Sequence, residues 1–129
     1  MILEKTYSTP KVIINKEKFE INFEGASFPD NSNDFYLPIK KELKSFFENF
    51  KKENIKIICK FTLLNSTSTK YIFDILKMAN DFSILGQNIN VDWYYEEGDE
   101  DMGWDGCSFK KSFLSLDFKI IKVQDLDMY

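Results

Sequence analysis

Ile55-Lys56-Ile57-Ile58-Cys59-Lys60-Phe61-Thr62-Leu63-Leu64-Asn65-Ser66-Thr67-Ser68-Thr69 is the stretch that decides the fold. Ile55, Ile57, Cys59, Phe61 and Leu63 alternate along it, the period of a β-strand with one buried face. Ile58 and Leu64 make the second face partly apolar, which places the strand in the middle of a sheet. The hydroxyl-rich junction that follows leads into a predicted helix over 68–85. Ile72, Ile75, Leu76, Ala79 and Phe82 form its apolar stripe, and Gly86 ends it. Ile89, Val91, Trp93 and Tyr95 alternate again as a strand. Strand, helix and strand make a β-α-β unit, with parallel strands and a right-handed crossover.

Toward the N-terminus, Val12–Asn15 and Phe19–Glu24 read as two strands around the turn Lys16-Glu17-Lys18, because Phe19, Ile21 and Phe23 alternate with polar residues. A turn-rich loop, Gly25 to Ser32, precedes a helix expected from about Asp34 to Lys52. Ile39, Leu43, Phe46, Phe47 and Phe50 share one face of it. Pro38 belongs near a first turn, which allows a start at Leu37. Toward the C-terminus, Glu96 to Gly106 reads as an acidic loop, Phe109 to Leu116 as a short helix or turn, and Phe118 to Val123 as a final strand at an edge. The expected class is α/β (α+β): a single domain over 1–129, with a small mixed sheet and helices packed mainly on one face.

Composition narrows the function. The 129 residues suit one hydrophobic core, and thirteen phenylalanines argue against disorder. The net charge of −4 speaks against nucleic acid as a partner, since such binders need a basic face. Lys40, Lys41, Lys44, Lys51 and Lys52 read as the solvated face of a helix. The chain has no histidine, which removes His-dependent triads and typical zinc sites. Cys59 lies in an apolar run and Cys107 beside a glycine, with no metal or redox spacing, and a reducing compartment fits. Met1 to Tyr7 carries Glu4 and Lys5 and lacks the apolar core of a secretory signal, and no apolar run is long enough for a membrane span. A cytoplasmic location without membrane insertion is expected.

Three segments could carry function. Ser66, Thr67, Ser68 and Thr69 sit where a central strand becomes a helix. They read either as helix caps or as phosphoacceptors at a positive helix terminus. Trp93-Tyr94-Tyr95 runs into Glu96, Glu97, Asp99, Glu100 and Asp101. That run is a solvated acidic loop, a divalent-cation site over 96–101, or a rim for a basic partner. Gly25-Ala26-Ser27-Phe28-Pro29-Asp30-Asn31 contains no phosphate cradle or nucleophile elbow.

In order, these segments resemble the SiaC family of bacterial regulatory phosphoproteins. The resemblance starts at Ser8-Thr9-Pro10 and passes through Gly25-x-Ser27-x-Pro29-Asp30-Asn31, where the family more often has Glu at the position of Asp30. It continues through Asn65-Ser66-Thr67-Ser68 with Lys70 and ends in Trp93-Tyr94-Tyr95 and the acidic run to Met102. It implies a fold similar to STAS domains and a partner-switching role in cyclic-di-GMP regulation. A dedicated kinase would phosphorylate the hydroxyl cluster and a PP2C-type phosphatase would reverse it. The unphosphorylated form would bind and activate an effector such as a diguanylate cyclase. The implied acceptor is Ser66, where the family often has Thr, with Thr67 and Ser68 as alternatives. The implied partner-binding residues are Gly25, Ser27, Pro29, Asp30, Asn31, Asn65, Thr67, Ser68, Lys70, Tyr95 and Glu96. No catalytic residue, cofactor or metal is expected on this reading. The competing readings are a cation-binding domain built on the acidic loop and a small ligand-binding protein or enzyme.

Overall fold

The computed structural model describes residues 1–129. Its order is β1 (Ile2–Leu3), β2 (Lys11–Asn15), β3 (Glu20–Ser27), α1 (Ser32–Asn49), β4 (Ile55–Leu64), α2 (Ser66–Ile84), β5 (Ile89–Glu96), α3 (Glu100–Ser112) and β6 (Asp117–Val123), with a closing 3-10 turn at Leu126–Met128. The six strands lie side by side in chain order. β1, β2 and β3 pair antiparallel, and β3 through β6 pair parallel. β4 is interior, as its apolar pattern predicts, and β6 forms an edge, as expected.

Three successive crossovers step across the sheet in one direction, so right-handed connections put all three helices on one face. That face carries the core. Ile21, Phe23, Ile57, Cys59, Phe61, Val91, Trp93 and Phe118 meet Leu43, Phe47, Ile72, Leu76 and Phe109 in one apolar cluster. The opposite face is mixed: Ile58, Tyr94 and Ile121 are half-buried on it, and Lys56 pairs there with Asp92 at 3.4 Å. α2 stops as Gly86 predicts. Gly86 has φ +110, its N–H donates to Ser83 O at 3.0 Å, and Gln87 N–H donates to Phe82 O at 3.2 Å. This paired closure needs a left-handed residue.

Four elements depart from expectation. β1 is new, and its two residues are too few to show a period. α1 begins at Ser32, with Pro38 inside it, because Asn31 caps it by accepting the Asp34 N–H at 3.1 Å. α2 begins at Ser66 because Asn65, ahead of the hydroxyl cluster, supplies the cap. The largest correction concerns 96–106. Much of the expected acidic loop is the first half of α3, and the expected short helix at 109–116 contains its end. Asp99 caps α3, and Glu100 and Asp101 stand in its first turn, where negative charge suits the positive helix end.

Candidate functional site

Parallel strands bring their C-terminal ends to one edge of the sheet, and every helix that follows starts there. Asn31, Asn65 and Asp99 are the three caps on that edge. Asn65 Oδ1 accepts from Ser68 N at 2.8 Å, and Asp99 Oδ1 from Met102 N at 3.3 Å. Three positive helix termini therefore face the same way.

The Asn65 cap sets the phase of α2 and thereby sorts the hydroxyl cluster. Ser66 and Thr67 are exposed, Thr69 is half-buried, and Ser68 is 0% exposed. Thr69 Oγ1 donates to Asn65 O at 3.0 Å. Lys70 is exposed and makes no ion pair.

Ser27 and Ser68, expected to face a partner, are instead interior. Ser27 Oγ donates to Ser68 Oγ at 2.8 Å and shares a short hydrogen bond with Tyr36 OH. All three residues are fully buried. Burial pushes the Tyr36 phenol up to about 12, against the opposing pull of its hydrogen bonds with Ser27 and Ser68. The Tyr36 ring stacks on Tyr71 at 5.3 Å, and Tyr71 OH donates to Asn33 Oδ1 at 3.0 Å. This chain of contacts joins β3 to the first turns of α1 and α2. Buried hydroxyls must be paired, and these pair with one another.

Gly25 is also buried, so it shapes the site from within. Its φ of +113 falls at the irregularity in the β3–β4 register. Pro29 is half-buried, and Asp30 and Asn31 are exposed. Phe28 N–H donates to Ser8 O at 2.8 Å, and the Tyr7 ring meets the Phe28 ring edge-on at 5.3 Å. Tyr7 is 89% exposed. No period or motif in the sequence marks it, because it reaches the edge from an irregular segment.

Tyr95 and Glu96 are half-buried at the same edge. Glu96 Oε1 accepts from Leu126 N at 3.1 Å, which ties the C-terminal turn to β5. β4 and β5 pair only as far as Cys59↔Trp93, whereas β4 follows β3 to Leu64 and β5 follows β6 to Glu96. The sheet thus splits before its edge, leaving Ser66 and the acidic turn on opposite sides of the opening. Asp105 has its carboxyl raised above the usual range, first by burial and then by Asp101 and Asp99. No group of three His, Cys, Asp or Glu side chains is arranged to hold a metal ion. Cys59 is buried, and its thiol is pushed up by burial and by Asp92, so it is a packing residue. No helix is long and apolar enough to cross a membrane.

Comparison with known proteins agrees with the fold. The profile described as SiaC family regulatory phosphoprotein matches residues 3–123. Among solved structures, a chain in the complex of diguanylate cyclase SiaD with its activator SiaC from Pseudomonas aeruginosa superposes with a TM-score of 0.84 at 19% identity, covering 95% of this chain and 97% of that one. Apo-SiaC from Pseudomonas aeruginosa superposes with a TM-score of 0.82 at 18% identity, covering 95% and 96%. No curated protein matches the chain.

Proposed function

The chain belongs to the SiaC family of regulatory phosphoproteins, and we propose that it is a non-catalytic, cytoplasmic switch whose state is set at Ser66. A kinase adds phosphate to the Ser66 hydroxyl, and a PP2C-type phosphatase removes it. The unphosphorylated form binds and activates an effector, by analogy with the activator SiaC in its complex a diguanylate cyclase. The observation that carries this reading is the sorting of the hydroxyls. Ser66 stands free at the first position of α2, while Ser68 is locked inside. Thr67 is the remaining exposed alternative.

The physical chemistry supports such a switch. A phosphate adds about −1.5 to −2 charges at neutral pH. At the first position of α2 it meets the positive end of the helix, with Lys70 one turn on, so the fold accommodates it. A partner covering the same edge must strip water from that charge. The proposed contact surface comprises Pro29, Asp30, Asn31, Asn65, Thr67, Lys70, Tyr95 and Glu96. Ser27, Ser68 and Gly25 serve it by holding the edge in shape.

Binding of Ser66→Asp and Ser66→Ala to a diguanylate cyclase from the same genome tests the proposal, with circular dichroism as the folding control. The Asp variant should bind at least about tenfold more weakly, the equivalent of 1.4 kcal/mol. The Ala variant should bind normally and ignore the kinase. Phosphopeptide mapping should find the label on Ser66. A folded Asp variant that binds like the unmodified chain would remove Ser66 from control of this surface.

A further inference from the structure

We infer that the end of the molecule opposite the switch edge rests on an anionic lipid surface, with Ile84, Leu85 and Leu114 entering the interface and a ring of lysines meeting the headgroups. This inference goes beyond the switch reading and does not depend on it.

The helices that start at one edge of the sheet finish together at its other end. There α2 and α3 are clasped. Ser83 Oγ donates to Ser115 O at 2.9 Å, Ser115 Oγ donates to Ser83 Oγ at 2.9 Å, and Ser115 N donates to Asn80 Oδ1 at 3.0 Å. The clasp brings Ile84 and Leu85, where α2 ends, to the same end as Leu114, just past α3. Ile84 is 66% exposed, Leu85 83% and Leu114 85%. Exposed aliphatic residues scattered singly are ordinary, but three large ones gathered by hydrogen bonds between their neighbours are not.

Lysines surround them. Lys51 shares a hollow of about 230 Å³ with Leu85. Lys52 follows it, Lys110 and Lys111 stand in the last turn of α3, and Lys16 and Lys18 lie in the β2–β3 turn. All six are exposed and none has an ion pair. The carboxylates at this end are Glu17, Glu48, Glu53 and Asp117, so it is basic in a chain whose net charge is −4. The lysine heads reach past the helix ends, whose partial negative charge fades beyond the last turn.

Charge and shape select the occupant. A second copy presenting the same end would set lysine against lysine. An acidic protein would have to offer pockets for side chains that stand out from the surface. A bilayer interface takes protruding aliphatic side chains as they are, and its anionic headgroups supply the counter-charge. The geometry also orients the chain. β4 has ten residues, which at about 3.3 Å each set the two ends of the sheet roughly 30 Å apart. Screening acts over about 8 Å at physiological salt. With the lysines on the bilayer, the acidic run 96–101 lies beyond the reach of its charge. Turned over, the same run would be repelled. The contact therefore presents Ser66 and its edge away from the bilayer, open to proteins.

Flotation of the full chain with vesicles tests the inference. The probes are vesicles of phosphatidylcholine alone, and of phosphatidylcholine with phosphatidylglycerol at about two to one. At low salt the chain should bind the mixed vesicles at least about tenfold more tightly, and added salt should shrink the difference. Leu85→Ser with Leu114→Ser should weaken that binding about tenfold, and Lys51→Glu with Lys110→Glu should do the same. All four side chains are exposed, and circular dichroism should be unchanged. Lys41→Glu with Lys122→Glu alters the net charge equally at exposed positions away from this end and should leave binding intact. Equal binding to both vesicles, or equal loss from the two pairs of lysine variants, overturns the inference. Binding to neither vesicle overturns it as well, and capture by a polyglutamate peptide would then assign the end to an acidic protein. A dimer in sedimentation that Leu85→Ser with Leu114→Ser dissolves also overturns it, because a second copy then covers this end.

Discussion

Gly106→Ala should destabilise the protein, although helix propensity alone says the reverse. Gly106 lies inside α3, where alanine is favoured by about 1 kcal/mol. A methyl group there would stand 2.7 Å from Trp93 Nε1 and 2.9 Å from Trp93 Cγ, well inside van der Waals contact. The indole cannot move aside. Trp93 is 0% exposed and lies among Phe61 at 5.8 Å, Phe109 at 5.3 Å and Phe118 at 6.4 Å. Its Nε1 donates to Met102 O at 2.9 Å, one turn back on the same helix. Relief therefore requires α3 to lift, which strains that hydrogen bond and opens the Trp93–Phe109 contact. Overpacking costs about 1–3 kcal/mol and loss of the hydrogen bond about 1 kcal/mol more. With the propensity gain subtracted, the net loss is about 1–3 kcal/mol, a fall in Tm of roughly 4–12 °C for a chain of this size. Thermal melting followed by circular dichroism measures it, and the near-ultraviolet signal of Trp93 should change with it. Gly103→Ala is the internal control, since its methyl would meet the half-buried Tyr95 ring at 2.9 Å, and that ring can turn outward. A Gly106→Ala protein that melts higher than wild type would mean that α3 is not seated on Trp93.

Further predictions are more local. Tyr36 is raised from 10.0 to about 12, so its neutral form stabilises the fold fully below pH 10, and that stability drains away as pH rises from about 10 to 12. Alkaline melting curves should show the loss, and Tyr36→Phe should flatten it over that window while lowering stability at neutral pH. Ser68→Ala should cost about 1 kcal/mol, because it removes the acceptor of the Ser27 hydroxyl. It should leave phosphorylation of the intact fold unchanged, and label lost on this variant but kept on Ser66→Ala would reassign the acceptor. Calorimetric titration with Ca²⁺, Mg²⁺ or Mn²⁺ should show nothing tighter than the millimolar range, because the carboxylates of 96–101 are divided among capping, the β5 end and solvent. A micromolar isotherm abolished by Asp99→Asn would contradict that division.

The elements that were legible in the sequence are those whose packing is done by side chains. β4 and β5 alternate large apolar residues, and α2 carries a full stripe from Ile72 to Ala79. α3 was illegible because much of its packing is done by the absence of side chains. Of its four buried residues, two are Gly103 and Gly106, which periodicity counts as helix breakers. Their purpose is the approach of the helix to Tyr95 and Trp93, a contact that exists only after β5 is in the sheet. The acidic run misled for a related reason. Asp99, Glu100 and Asp101 resemble a solvated loop one by one, but together they form a cap and first turn. α1 starts earlier than Pro38 suggests, because the Asn31 side chain sets its beginning and a proline is accommodated inside it.

The hydroxyl cluster carried more information than its composition suggests. The apolar stripe of α2, traced back from Ala79 through Ile75 and Ile72, reaches Ser68 at helical spacing. On that phase Ser68 must point inward and Ser66 outward, whatever their chemical likeness. What the stripe cannot supply is the inner partner. A serine at the head of a buried stripe needs a second polar group within the core, and Ser27, forty-one residues earlier, provides it across the β3–β4 step. The pairing also explains why a hydroxyl occupies Ser27, the last position of β3, where the helix-facing pattern of Ile21 and Phe23 would otherwise call for an apolar residue. Two serines two positions apart therefore have opposite roles. One fastens the helix to the sheet, and that anchorage holds the other at the open edge, where a change of charge meets a partner and does not unfold the chain.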